Sequence, residues 1–185
     1  EKNVNQLKIV DELANFFDTK DNFITRIFKS KKKLCFYLFG NVGVGKTMIL
    51  DHFYDLIELP KMRLHFNEFM INFHDFRHKR KDDNSISKFV KNLKQKFDFL
   101  YLDEFQVTNI VDAMILGKLF ENIFLNNIKI LITTNTRLVD LYKDGLQREQ
   151  FIPFISLIEK KSVQKELFLE DDYRLQKQDN IQRIF

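Results

Sequence analysis

An α/β fold is the class this 185-residue sequence predicts, with a five-stranded, mostly parallel sheet covered by helices on both faces. Three observations predict it. Short apolar runs of strand length alternate with segments whose apolar residues recur every three or four positions, the pattern of strand–helix units that build parallel sheets. Leu34-Cys35-Phe36-Tyr37-Leu38-Phe39 is apolar at every position, as a strand buried on both faces must be. It runs straight into Gly40-Asn41-Val42-Gly43-Val44-Gly45-Lys46-Thr47, which fits G-x-x-x-x-G-K-[ST] at every fixed position.

Residues 3–19 carry Val4, Leu7, Val10, Leu13, Ala14 and Phe17 at helical spacing, and a second helix is expected over 22–29. Residues 1–33 thus form an N-terminal helical segment packing on a core that spans 34–170. After the first strand and its glycine-rich loop, Ile49, Leu50, Phe53, Leu56 and Ile57 predict a helix over 46–57 that stops ahead of Pro60. Arg63-Leu64-His65-Phe66 reads as the second strand. Phe66, Phe69, Met70 and Phe73 then fall at helical spacing. Asp82-Asp83-Asn84-Ser85 is a break, with Ser85 as N-cap of a helix to about 96. Residues 97–102 form the third strand, 110–125 an amphipathic helix and 128–133 the fourth strand. A short helix over 138–143 ends at Gly145 as C-cap. Pro153 opens a helix over 151–161, and 163–169 is the fifth strand. The polar tail, 171–185, receives no element.

The glycine-rich loop carries the first chemistry. From Gly40 to Gly45 the backbone curls so that successive N–H groups face an anion, and the helix that follows adds its positive dipole end. Gly40, Asn41, Val42, Gly43, Val44, Gly45, Lys46 and Thr47 are therefore the candidate phosphate-binding residues. Lys46 reaches the β- and γ-phosphates of a nucleoside triphosphate, and the Thr47 hydroxyl sits on Mg²⁺. The second signal is Phe97-Asp98-Phe99-Leu100-Tyr101-Leu102-Asp103-Glu104, a largely apolar strand ending in two acids. Beside the first strand, Asp103 holds Mg²⁺ directly or through water, and Glu104 polarises a water for attack on the γ-phosphate. The third is Lys129-Ile130-Leu131-Ile132-Thr133-Thr134-Asn135, where Asn135 can bond both that water and a γ-phosphate oxygen. A guanine reader of the form N-K-x-D is absent, so ATP hydrolysis is favoured over GTP chemistry.

Composition narrows the rest. Hydrophobic residues make up 44% and charged residues 30%, a globular balance. No apolar run approaches the roughly 18 residues of a membrane span, and the N-terminus lacks an apolar signal core. The chain starts at Glu1, as a processed or cut product would. The single cysteine, Cys35, lies in the apolar strand and reads as a small buried hydrophobe in a reducing compartment. The net charge of +4 gathers in Lys29-Ser30-Lys31-Lys32-Lys33 and Arg77-His78-Lys79-Arg80-Lys81. Neither cluster carries a nucleic-acid motif, so both read as solvated, with peripheral membrane contact left open. His74 and His78 are four apart on a helix, but no H-E-x-x-H glutamate and no third ligand accompany them.

Several longer stretches resemble the ZapE cell-division ATPases and their mitochondrial Afg-type (Lace-type) relatives, a branch of the AAA+ class. They are Pro60-Lys61-Met62-Arg63-Leu64-His65-Phe66-Asn67-Glu68-Phe69-Met70, Leu102-Asp103-Glu104-Phe105-Gln106-Val107-Thr108 and Asp112-Ala113-Met114-Ile115-Leu116. Asp140-Leu141-Tyr142-Lys143-Asp144-Gly145-Leu146-Gln147-Arg148, Phe151-Ile152-Pro153-Phe154-Ile155 and Asp172-Tyr173-Arg174-Leu175 complete the set. The resemblance implies an AAA+ phosphate-loop core, Mg-ATP hydrolysis and homo-oligomerisation. It implies a protein partner too: for the bacterial branch, in the cytoplasm, the tubulin-like division protein FtsZ. For the mitochondrial branch it implies a quality-control role at the matrix side of the inner membrane. Arg148 falls where the class often carries an arginine finger; the alternative is a surface ion pair. Asn41 and Asn109 replace residues that are often Gly and Asp in relatives. The family's helical lid is expected to be largely absent from this chain, which leaves a second reading open: a nucleotide-gated binding module with negligible turnover, whose basic clusters dock nucleic acid or membrane.

Overall fold

The structure is a computed structural model and describes residues 4–17, 33–80 and 84–168. Strands β1 (Cys35–Phe39), β2 (Lys61–His65), β3 (Phe99–Asp103), β4 (Lys129–Thr134) and β5 (Ser162–Glu166) form one sheet in the order β2-β3-β4-β1-β5. Every pairing is parallel. Parallel neighbours need crossover connections, and helices supply them. Helix α1 (Val4–Phe17) precedes β1, and the connections carry α2 (Lys46–Leu56), α3 (Phe66–Lys79), α4 (Ser85–Lys96), α5 (Ile110–Leu125) and α6 (Ile152–Lys161). The fold class expected from sequence is the one found.

Strand residues alternate between two cores, as the pleat requires. Tyr37, Leu100, Leu102, Ile130 and Ile132 face the larger one, shared with α3, α4, α5 and α6. Phe36, Leu38, Phe99, Tyr101 and Leu131 face the smaller one, shared with α1 and α2. This two-sided burial is why the strands read as unbroken apolar runs. Cys35 is free and fully buried, and burial pushes its thiol well above the ordinary range.

Several boundaries differ from expectation. Strand β2 starts at Lys61, because Lys61 and Met62 pair with Phe99 and Leu100, and it ends at His65, because Phe66 turns into the core as the first residue of α3. Strand β3 extends to Asp103, which pairs with His65. Asn84, not Ser85, is the N-cap of α4, and Ser85 is its first helical residue. Only Leu138–Asp140 of the expected 138–143 helix is helical, as one 3-10 turn. Gly145 is not its C-cap. The left-handed positions are Tyr142 (φ 54°) and Gln147 (φ 54°), and the Tyr142 ring folds so closely over Gly145 that a Cβ there would lie 2.2 Å from it. Strand β5 ends at Glu166. The expected helix over 22–29, basic residues 29–32 and Lys81, and the tail lie outside the described residues.

Among the described residues no helix is long and apolar enough to cross a membrane. The larger core is dominated by aromatic packing. Phe120 is fully buried and meets Phe154 edge-on at 5.1 Å and Phe105 at 5.9 Å. Phe120→Ala should cost roughly 3–5 kcal/mol, because a cavity opens where three rings converge. Urea unfolding followed by circular dichroism would show a lower midpoint with an unchanged slope. A loss under about 1 kcal/mol would mean that this core relaxes around the gap.

Candidate functional site

The carboxyl ends of β1, β3 and β4 meet at a cavity of about 590 Å³. Val42, Gly43, Gly45, Lys46 and Thr47 line it from the loop after β1, Asp103 and Glu104 from the end of β3, and Thr133, Thr134 and Asn135 from β4. Open parallel sheets place ligands at this edge, where strand order reverses.

The loop's shape follows from its glycines and one apolar anchor. A Cβ on Gly40 would lie 2.2 Å from the Leu167 carbonyl oxygen, so only glycine fits where the chain passes β5. Gly45 stands at φ 90°, a left-handed conformation that glycine takes without strain, and caps the start of α2. Val44 points down into the smaller core, 2% exposed. Its carbonyl accepts a hydrogen bond from Gln6 Nε2 of α1 at 3.4 Å. With its middle pinned, the loop borders the cavity through Val42, Gly43 and Gly45, and α2 begins there at Lys46 with no side-chain cap on its N-terminus.

Lys46 is held in that loop. Its Nζ donates to Gly40 O (2.7 Å), Asn41 O (2.7 Å) and Asn135 Oδ1 (2.8 Å). Burial lowers the pKa of the ammonium, and the nearby Asp103 charge opposes that. The structure thus brings together Lys46, Asn135, Thr47, Asp103 and Glu104. Gly40 and Asn41 contribute carbonyls to Lys46, and Val44 supports the loop from beneath.

Asp103 carries three hydrogen bonds. Oδ1 accepts from the Thr133 hydroxyl and from the Glu104 N–H at 3.0 Å, and Oδ2 accepts from Arg63 Nη2 at 3.0 Å. Burial raises its pKa, but these donors outweigh burial and hold the carboxyl below the usual range. Arg63 also pairs with Asp51 Oδ1 at 2.7 Å and lies over the Tyr101 ring at 4.8 Å, so it ties α2 to the acidic strand end. Sequence reading missed Arg63 and Thr133. The only signal was a charged residue in a short strand, and a second threonine beside Asn135. Glu104 adopts φ 52°, a conformation that costs a non-glycine residue about 1–3 kcal/mol. Its carboxylate is exposed, 3.7 Å from His65 Nδ1.

Arg148 lies outside this cavity's lining. Its Nη1 donates to Leu141 O (2.6 Å) and its Nη2 to Val139 O (2.7 Å), closing the loop that follows Leu138–Asp140. A finger role for it would be exercised on the cavity of a second copy. His74 Nε2 lies 2.7 Å from Asp112 Oδ1, and Asp112 N–H donates to Asn109 Oδ1, so this histidine braces the N-cap of α5. Among the described residues no cluster of three His, Cys, Asp or Glu could hold a metal by itself.

A sequence family described as AFG1-like ATPase matches residues 2–183. The chain is 39% identical over 136 residues to Lactation elevated protein 1 homolog B of Danio rerio, covering 66% of this chain and 27% of that protein. It is 36% identical over 143 residues to Cell division protein ZapE of Escherichia coli (strain K12), covering 75% of this chain and 38% of the relative. It therefore spans well under half the length of these curated relatives. Among solved structures, a putative primosome component from Streptococcus pyogenes serotype M3 superposes with a TM-score of 0.61 at 16% identity, over 90% of this chain and 81% of that one. AMPPCP-bound DnaA from Aquifex aeolicus superposes with a TM-score of 0.52 at 18% identity, over 83% and 45%. These two likenesses are of fold.

The donors on Asp103 make a pH prediction. Its folded pKa is depressed, so the stability it contributes is present above the unfolded value of about 3.9 and is lost as pH falls through the folded value. Thr133→Val removes one donor and raises the folded pKa toward the unfolded one. Acid unfolding followed by circular dichroism should then begin at higher pH in the variant. Coincident acid transitions would show that the hydroxyl does not stabilise the carboxylate.

Proposed function

This chain belongs to the AFG1-like ATPase family, and from that premise we propose that its cavity binds Mg-ATP and hydrolyses the terminal anhydride. The observation that carries the reading is the convergence on one cavity of Lys46, bonded to Asn135, with Asp103 and Glu104. The loop N–H groups and Lys46 hold the β- and γ-phosphates, with the ammonium exchanging its carbonyl partners for phosphate oxygens. Thr47 and Asp103 would hold Mg²⁺. A hydroxyl and a carboxylate suit a hard cation. When bound, the ion neutralises triphosphate charge. Glu104, exposed at the cavity, takes the proton of the attacking water. Asn135 donates its amide N–H to a γ-phosphate oxygen.

The finer reading is that turnover remodels a protein partner. The similarity to Cell division protein ZapE supports a division-linked role; the partner in this reading is a tubulin-like division protein such as FtsZ, and the chain acts as a homo-oligomer in the cytoplasm. The alternative setting, which rests on the resemblance to the mitochondrial branch, is the matrix side of the mitochondrial inner membrane.

Steady-state phosphate release with Mg-ATP tests the proposal. The wild-type chain should turn over, and Glu104→Gln should lose roughly 10²–10⁴-fold in rate, the scale of a general base. Its affinity for a fluorescent ATP analogue should stay at the wild-type value. Unchanged turnover in the variant would move the base elsewhere, and no turnover in the wild type would favour a nucleotide-gated binding module.

A further inference from the structure

Beyond Glu104 the chain leaves β3 in strict alternation. Glu104, Phe105 and Gln106 all border the cavity, but only Glu104 and Gln106 are exposed, whereas Phe105 is 0% and Val107 6% exposed. The buried pair pins the backbone. Phe105 N–H donates to Thr133 O at 2.8 Å, and its ring packs 4.1 Å from Phe66 and stacks on Phe154. Between these two anchors Gln106 is exposed and borders the cavity. Among the described residues its amide has no hydrogen-bond partner. The other amide on the cavity, Asn135, already accepts from Lys46.

The geometry points to Gln106 as a second catalytic residue of the hydrolysis, one that orients the attacking water alongside Glu104. This inference rests on the reading of the cavity as an ATP site. The attacking water has two O–H bonds and must turn a lone pair toward the γ-phosphorus in line with the leaving oxygen. The Glu104 carboxylate is acceptor-only, so it takes one O–H and leaves the water free to rotate about that bond. An amide has both functions. The Gln106 carbonyl accepts the second O–H, and its NH₂ donates to a non-bridging γ-oxygen, where negative charge must be met. The water oxygen then bonds to phosphorus while the bond from phosphorus to the β–γ bridging oxygen breaks. One water proton passes to Glu104, and the bridging oxygen leaves on ADP with the electron pair. Asn135 is already assigned to a γ-phosphate oxygen through its amide N–H, which leaves the second water O–H to Gln106.

Three proteins test it: wild type, Gln106→Ala and Gln106→Glu, the last keeping an acceptor but losing the donor. Two measurements are made besides phosphate release: affinity for fluorescent ADP, and the extra ADP retention produced by Mg²⁺ with aluminium fluoride, which mimics the transferring phosphoryl group with its water in place. Gln106→Ala should bind ADP like wild type and lose the fluoride-dependent retention. Its kcat should fall roughly 10²-fold at unchanged KM, the scale of one preorganised donor. Gln106→Glu should lose retention as well. Retention equal to wild type in Gln106→Ala would overturn the inference and leave the ATP site standing. Matched losses of ADP affinity and kcat would overturn it too, by making Gln106 a binding contact. If wild type itself shows no fluoride-dependent retention, the hydrolysis reading falls and this inference falls with it.

Discussion

Two buried opposite charges at the carboxyl edge of the sheet constrain everything around them. An ammonium and a carboxylate taken out of water must find partners, or the fold bears several kilocalories per mole for each. Lys46 finds two loop carbonyls and Asn135, and Asp103 finds Thr133, Arg63 and the Glu104 N–H. Thr133 and Asn135 both come from β4 and the residue that follows it. The strand order places β4 between β1, which delivers Lys46, and β3, which delivers Asp103. The neighbour relations of the sheet therefore build the site: one strand end serves the cation on one side and the anion on the other.

The same logic explains the N-terminal helix. Gln6 of α1 reaches the Val44 carbonyl, Lys129 Nζ donates to Phe16 O at 3.0 Å, and Lys165 pairs with Glu12 at 2.6 Å. Helix α1 is thus fastened to the start of β4, to β5 and to the underside of the phosphate loop. Its buried residues, Ile9 and Leu13, complete the smaller core beneath that loop. A glycine-rich loop keeps one shape more firmly when its apolar residue, Val44, is held from below, and α1 helps supply that hold.

Much of this was readable in the sequence because the signals were local. Strands buried on both faces appear as apolar runs, a glycine-rich loop has fixed spacing, and two acids at a strand end stand out. What was not readable depends on pairing at long range. Arg63 reaches Asp103 because β2 lies beside β3 with His65 opposite Asp103, and nothing near Arg63 in sequence announces that register. Gly145 reads as a helix cap by its type, yet its reason is the Tyr142 ring folded above it. Arg148 reads as an arginine finger or a surface ion pair, while the fold gives its guanidinium two backbone carbonyls. Gln106 stood in plain view beside Glu104. Only the alternating burial of Phe105 and Val107 separates it from an ordinary surface glutamine.

The central claim is that the loop around Lys46 is shaped to receive a triphosphate. A ligand that binds only the native state stabilises it by about 2.7 kcal/mol at a hundred times its dissociation constant. Thermal denaturation across a titration of a non-hydrolysable Mg-ATP analogue measures this directly, with no need for a partner or for turnover. The unfolding midpoint of the wild-type chain should climb with the logarithm of ligand concentration, and Lys46→Ala should show little or no climb. A flat wild-type midpoint, or an equal climb in both proteins, would contradict the account.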